Sequence, residues 1–550
     1  MARLLFDNPG PLFLVVLCCT FLLFRWRTGW KSKHLVALCL TCGVVSMGLY
    51  VVLIALNISR VGMLWHDEAN ILSIAAAYSH GLPMYHSIAS DSFYSLFYGP
   101  STFLVYAPFL VVFSHPILAL RIGLFVVSLA ELILLYALMR RWVRPSAALA
   151  LLPVGLAFLL AYPGVLFADR GDVWLLFCVT LALLIAVRSQ ARFWLVASLS
   201  CGVLGGLVID FKVTALPVAC VLAAVLYRRF GVRAVVSGVL ACLFVAFAIF
   251  ALPHISLANY VAWLVVSGHQ RFLRSTFLGN LIAVLLLLAP MVLVYRSATV
   301  GERRRRLGWI IATTAFALVM CVITGSKDGA GGWHLWPLLP VFLGAAAYAV
   351  SLRREGSVDR SRGIGVGGDV TASKTLIALA SLAVAGMVST AYFAAKDYHV
   401  VRPRGDREFG VREGIAQNEL EGLSRRSFGE QSLTMGYGAA VTDYRTDLRY
   451  ELTLAGRGYF LDENSVVEGI KARFPVPERV TERILGCQDV WVIPHDEAPF
   501  SSVRFGVLPA AASPYVFPDE IRLGFAKTHV RFEQGAVYDL WTCGLNLPAG

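Results

Sequence analysis

The feature that most constrains this chain is a run of long apolar windows through its first 395 residues. A helix that crosses a bilayer needs roughly 17–25 predominantly apolar residues, because no water is present to satisfy its backbone. Such windows fall at 11–25, 35–57, 117–139, 147–168, 172–187, 193–209, 213–227, 233–253, 277–295, 308–324, 333–351 and 374–395. Of 550 residues 57% are hydrophobic and only 15% are charged, whereas soluble domains run near a quarter charged. The expectation is a polytopic α-helical membrane protein of about 12 spans. The N-terminal run "PLFLVVLCCTFLLF" lacks a clear small-residue cleavage site, so it reads as a first short membrane helix.

Charge placement orients the spans. Cytoplasmic loops carry an excess of Lys and Arg, and basic clusters occur at Arg25–Lys33, Arg140–Arg144, Arg188–Arg192, Arg228–Arg233, Arg296–Arg306 and Arg353–Lys374. All six fall on one side only if the shorter apolar run 98–113, with Pro100 and Pro108, does not cross. That run is therefore expected to be interfacial or re-entrant. The basic residues sit between apolar spans without a continuous basic surface, which argues against nucleic-acid binding. From Lys396 onward the balance reverses, with 18 Lys and Arg against 22 Asp and Glu. Turn signals ("AGRGYFLDEN", "PVPERV") and short β-rich runs ("DVWVIP", "AVYDLW") mark 396–550 as a small extracytoplasmic α/β domain. It follows a membrane domain at 1–395, whose first outer loop is 58–116. "GIGVGGDVTASK" at 363–374 reads as a flexible linker. Nine of eleven cysteines lie in apolar spans; Cys487 and Cys543 lie in the polar tail, as a disulfide or as two free thiols.

This topology gathers the conspicuous polar groups on the outer face: Asp67, Glu68, Asp169, Arg170, Asp172, Asp210, Lys212, His269, Arg271, Lys327, Asp328 and His334. Adjacent carboxylates point to different faces, so Asp67 and Glu68 are not one acid–base dyad. Either could serve chemistry, or both could stabilise the positive end of a helix. Lys212 could act on a ligand or anchor its span by snorkelling. Arg170 with Asp172, and Lys327 with Asp328, could equally be local ion pairs. The Gly-rich segment 329–332 after Lys327 suits an anionic oxygen. Phe93, Tyr94, Phe97 and Tyr98 could stack on a sugar or form an interface belt. A carboxylate and several cations at one membrane face fit proton removal from an acceptor hydroxyl and neutralisation of a lipid-linked phosphate leaving group.

An ordered series of segments resembles the integral-membrane GT-C glycosyltransferases, in particular the bacterial protein mannosyltransferase and aminoarabinose transferase group. Asp67–Glu68 is followed by "FYGPSTFLVYAPF", "ALRIGLFVVSLAELILLYALMRRW", "ADRGDVWLL", "FKVTALP" and "KDGAGGWHLWPLLPV", together covering roughly 35–350. The resemblance implies a polyprenyl-phosphate sugar donor and inversion at the anomeric carbon. It makes Asp67 the base and Glu68 its neighbour in the donor or acceptor site. Arg170, Lys212, Lys327 and, more weakly, His334 become donor-phosphate contacts, with Tyr98 and Arg271 as further substrate-binding candidates. The acceptor is a glycan, lipid or protein at the outer face of the plasma (bacterial inner) membrane. Gly99–Pro100 stands where the family has Pro-Pro, and an extra N-terminal span precedes the helix leading to Asp67. Some relatives need a divalent metal; no closed ligand set is visible, and the cofactor stays unassigned. A transporter or lipid flippase is the competing class, but no repeat relates the two halves and Glu131 is the one acidic residue well inside a span. A purely structural assembly subunit would leave the one-sided clustering unexplained. The topology predicts that reporter fusions at Ser90 and Ser114 both read extracytoplasmic; opposite readings would break the shared-face argument.

Overall fold

The computed structural model describes residues 9–26, 32–60, 66–113, 115–168, 170–284, 301–361, 368–401, 407–439, 444–503 and 514–544. Asp169, Ser114, parts of three of the basic clusters and the end of the expected 277–295 span lie outside the described residues. Among the described residues seven helices are long and apolar enough to cross a membrane: Ser32–Ile58, Ile117–Met139, Ala191–Phe211, Val213–Phe230, Val232–Ala251, Gly332–Ser351 and Leu376–His399. Shorter apolar helices run Phe13–Phe24, Pro145–Leu160 and Ile311–Thr324, and a 17-residue helix covers Asp172–Arg188. The expected window 147–168 breaks after Leu160 and restarts as the four-residue helix Pro163–Leu166. The chain is thus a multi-pass helical bundle, in which the apolar windows differ in length more than hydropathy suggests.

Two expectations change. The expected linker at 363–374 is mostly helix, since the helix Gly368–Val401 begins within it; residues 363–367 lie outside the described residues. The segment 254–276, which separates the expected windows 233–253 and 277–295, contains the apolar helix Leu257–Gly268, which Ser256 caps by accepting the Asn259 N–H at 3.2 Å. The run 98–113 is two short helices, Ser101–Leu104 and Ala107–Val112. Pro100 and Pro108 stand at their starts, where a missing N–H costs least.

Small residues let the bundle's backbones approach. A Cβ on Gly202 would lie 2.3 Å from the Gly238 carbonyl oxygen, and one on Gly206 2.7 Å from that of Cys242. These two glycines, four residues apart, form the seam between the helices Trp194–Phe211 and Val232–Ala248.

The C-terminal domain carries a four-stranded sheet of β1 (Ser432–Met435), β2 (Asp489–Pro494), β3 (His529–Gln534) and β4 (Tyr538–Cys543), in the order β1-β2-β4-β3. β1 pairs parallel with β2; the other two pairings are antiparallel. β2 is buried along its whole length, as the continuous apolar run in "DVWVIP" requires. Cys487 and Cys543 are joined as a disulfide.

The segment 66–113 and this domain share a core. Phe93 packs with Trp263, Phe460 and Trp491, and pairs as a bridge with Leu461. Its N–H donates to the Phe460 carbonyl at 2.6 Å, and the Asp462 N–H donates to its own carbonyl at 2.9 Å. His86 organises the loop on the other side: its Nε2 accepts the Tyr94 and Ser95 N–H groups at 2.9 and 3.2 Å. Burial pulls this imidazole down to about 4, so it stays neutral in that role.

Gly202→Leu is expected to cost about 1–3 kcal/mol by overpacking and to lower the unfolding temperature in detergent. Gly48→Leu, with nothing within 4 Å of an added Cβ, is expected to leave it unchanged.

Candidate functional site

Asp67 and Glu68 occupy the first turn of the helix His66–Ser79. Successive helical residues are about 100° apart, and the two carboxylates separate accordingly. Asp67 faces a cleft, with its side chain 13% exposed. Glu68 turns into the protein at 0% exposure, its oxygens 2.9 and 3.0 Å from Arg60 Nη2, with Arg121 Nη2 3.8 Å from Oε1. Arg121 belongs to the segment "ALRIG", so the arginine at the start of that helix closes on Glu68, away from the cleft.

The cleft has a volume of about 130 Å³. Asp67, Tyr98, Arg170, Lys212, Lys327 and His334 all line it. Each arrives from a different break in the helical pattern. Arg170 precedes the helix Asp172–Arg188. Lys212 is the extended residue between the helix Trp194–Phe211 and a 3-10 turn at Val213–Ala215. Lys327 lies in the loop after Thr324, where it pairs as a bridge with Phe272. His334 sits in the 3-10 helix Gly332–Leu338, with Nδ1 3.3 Å from the Thr214 hydroxyl.

A row of alternating charges runs along the floor. Lys212 Nζ is 2.7 Å from Asp172 Oδ1, Arg170 Nε is 3.3 Å from Asp172 Oδ2, and Arg170 Nη1 donates to Asp67 Oδ2 at 2.9 Å. Arg170 Nη2 donates to the Tyr98 hydroxyl at 2.5 Å. The Tyr98 ring also lies under both cations, 5.4 Å from Arg170 and 5.5 Å from Lys212. Burial opposes the Arg170 charge, but Tyr98, Asp67 and Asp172 outweigh it and hold the guanidinium above its ordinary range. Burial likewise keeps the Tyr98 phenol well above its usual value, so it stays protonated.

Tyr98 is fixed by its neighbour. Gly99 N–H donates to the Phe211 carbonyl at 3.2 Å, and a Cβ there would lie 1.7 Å from the Asp210 carbonyl oxygen. The glycine in place of a second proline follows from that contact.

The structure does not bring every expected residue to the cleft. Arg271 lends its carbonyl to the Asp328 N–H at 2.7 Å, and its side chain is not among the lining groups. His269 Nδ1 lies 2.9 Å from the Val265 carbonyl on the exposed surface. In the glycine-rich segment, the Ala330 N–H is already committed to the Lys327 carbonyl at 3.0 Å. Among the described residues no group of three or more His, Cys, Asp or Glu side chains could hold a metal ion.

The C-terminal domain also enters the cleft, through Asn464 and Glu468 of the helix Glu463–Lys471. Asn464 Nδ2 donates to Asp67 Oδ1 at 2.7 Å. Glu468 is held by Lys471 Nζ at 2.6 Å and Gln270 Nε2 at 2.5 Å. Burial raises the Glu468 carboxyl above its usual range; Lys471 opposes this, while Asp67 and Asp328 add to it. These residues carry no spacing signal, because Asn464 stands 397 positions from its partner.

No protein-family model and no curated protein matches the chain. Among solved structures it is similar to ArnT from Cupriavidus metallidurans bound to undecaprenyl phosphate, with TM-score 0.51 and 12% identity over 92% of this chain and 98% of that one. The apo form of the same protein gives TM-score 0.51 and 12% identity over 90% and 97%. The Archaeoglobus fulgidus oligosaccharyltransferase, in complex with Zn and sulfate, gives 0.38 and 11% over 83% and 68%. The likeness to ArnT covers nearly the whole of both chains, so the two share a fold.

Glu68→Ala is expected to destabilise the protein by about 3–5 kcal/mol, the usual cost of removing one partner of a buried ion pair, read as a large fall in unfolding temperature. Unchanged melting with lost activity would instead place Glu68 in the chemistry.

Proposed function

We propose that the cleft transfers a sugar from a polyprenyl-phosphate-linked donor to an acceptor hydroxyl at the extracytoplasmic face, with inversion. The observation that carries this reading is the convergence of one carboxylate, Asp67, with Arg170, Lys212 and Lys327 from widely separated segments on a single cleft. The GT-C fold and the undecaprenyl phosphate bound by the structurally similar ArnT support the choice of donor class. The Cys487–Cys543 disulfide supports an oxidising compartment for the C-terminal domain.

In this mechanism Asp67 takes the proton of the acceptor hydroxyl as its oxygen forms a bond to the anomeric carbon. The bond from that carbon to the phosphate oxygen breaks, and its electron pair leaves on polyprenyl phosphate. Arg170, Lys212 and Lys327 hold the phosphate before and after cleavage. Their donors strengthen as charge grows on the leaving oxygen, so no general acid is required. His334 stands beside this group through Thr214 and is a weaker phosphate contact. Arg170 also fixes the plane of the Asp67 carboxylate, and Tyr98 braces Arg170 from beneath.

Purified protein supplied with undecaprenyl-phosphate sugars and a hydroxyl acceptor tests the reading. Asp67→Asn is expected to lose about 10²–10⁴-fold in turnover, the usual contribution of a general base. Asp519→Asn, in an exposed surface pair with Arg522, is expected to match the parent. Lys327→Ala is expected to weaken donor binding more than it slows the bound complex. Movement of the lipid-linked sugar across vesicles without turnover would instead establish a flippase.

A further inference from the structure

We infer that the helix Glu463–Lys471 of the C-terminal domain is a working wall of the transfer site, in which the Asn464 side-chain amide positions Asp67 and favours its ionised form. The inference rests on the reading of Asp67 as the base. It assigns a role to the domain that lacks any catalytic motif of its own.

The contact is specific in chemistry. An ionised carboxylate only accepts hydrogen bonds, so Asn464 presents its NH₂ group, and does so at 2.7 Å to Oδ1. Arg170 holds the other oxygen, Oδ2, at 2.9 Å. Donors on both oxygens fix the plane of the carboxylate. An amide donor also stabilises the charged form without bringing a full positive charge that would compete for an anionic ligand.

Asn464 is itself held in place. It follows Asp462, which caps the helix by accepting the Ser465 N–H at 3.0 Å. The cap is anchored by Arg449 at 2.9 Å and the Tyr459 hydroxyl at 3.0 Å, and its own N–H reaches Phe93 of the outer loop. One turn onward, Glu468 is clamped by Lys471 and Gln270. The helix is therefore pinned at both ends against the loop and the bundle, and the amide between those pins meets Asp67 at 6% exposure. Among the groups acting on Asp67 are Arg170 and Lys212 from the bundle, Tyr98 from the segment before the short helices, and Glu468 and Lys471 from the same helix as Asn464. Asp172 is the shared partner of Arg170 and Lys212, while Lys327, Asp328 and His334 line the rest of the cleft. Removing Asn464 leaves all of these in place, so a change in the proton affinity of Asp67 reports the amide itself.

The test is the titration of Asp67 in the full chain, followed by pH-difference infrared spectroscopy as the carboxylate band absent from Asp67→Asn. Asn464→Ala removes a donor to the charged form, so the midpoint is expected to rise by about one pH unit. Asn464→Asp keeps the shape of the side chain but places a like charge against Asp67, and is expected to raise it further. This isosteric variant keeps the test available if the alanine form does not fold. A midpoint unmoved in the folded variants overturns the inference, whatever happens to melting temperature, because a purely structural contact has no reason to shift it. Turnover of undecaprenyl-phosphate sugars separates the two readings. If Asp67→Asn is inactive while the midpoint in both variants stays fixed, this inference alone fails. If the midpoint rises but Asp67→Asn remains active, the positioning contact stands and the assignment of Asp67 as base falls.

Discussion

The pairing of Arg170 with Asp67 is the contact on which the rest of the site depends. A guanidinium with only 5% of its side chain exposed is tolerated only when its donors are answered by carboxylates or strong acceptors. Asp67, Asp172 and the Tyr98 hydroxyl answer it from three segments. Lys212 then shares Asp172, so two cations and two carboxylates form a row in which each charge offsets the next. An incoming phosphate would compete with these carboxylates for the same donors. The same carboxylates hold the cations in position, and in the proposed transfer one of them, Asp67, takes the acceptor proton.

That row can exist only where the bundle stops being helical. Arg170 and Lys212 each stand at a junction between helices, Lys327 in a loop, and His334 in a 3-10 turn. Within the spans the chemistry is apolar and the backbones are drawn together at small residues, as at Gly202 and Gly206. The long helices set the spacing of the junctions, and the junctions carry the polar groups. The segment before the short helices follows the same division: the approach of Gly99 to the Asp210 carbonyl positions Tyr98 beneath the cations.

The C-terminal domain closes the site from the other direction. Its core merges with the segment around Phe93, and its helix Glu463–Lys471 reaches the cleft. Read as sequence, this domain shows a small α/β fold and strands where "DVWVIP" and "AVYDLW" stand, and nothing catalytic. Asn464 and Glu468 carry no signal in the sequence, for a physical reason. Hydrophobic periodicity reports which face of an element is buried, not which distant carboxylate a polar group will meet.

Local chemistry therefore determined a good deal of this protein: the apolar windows that demand a membrane bundle, the proline-bearing run at 98–113 that breaks into short helices, and the set of isolated charges at span ends. It also separated Asp67 from Glu68, since neighbours on a helix cannot share a face. Tertiary structure alone decided which charge each one meets. Glu68 goes to Arg60 and Arg121, Asp67 to Arg170 and Asn464, and Lys327 lines the cleft while Arg271 does not. Those choices rest on distances of a few ångströms between segments hundreds of residues apart, and such distances are set by how the helices and the C-terminal domain pack against one another.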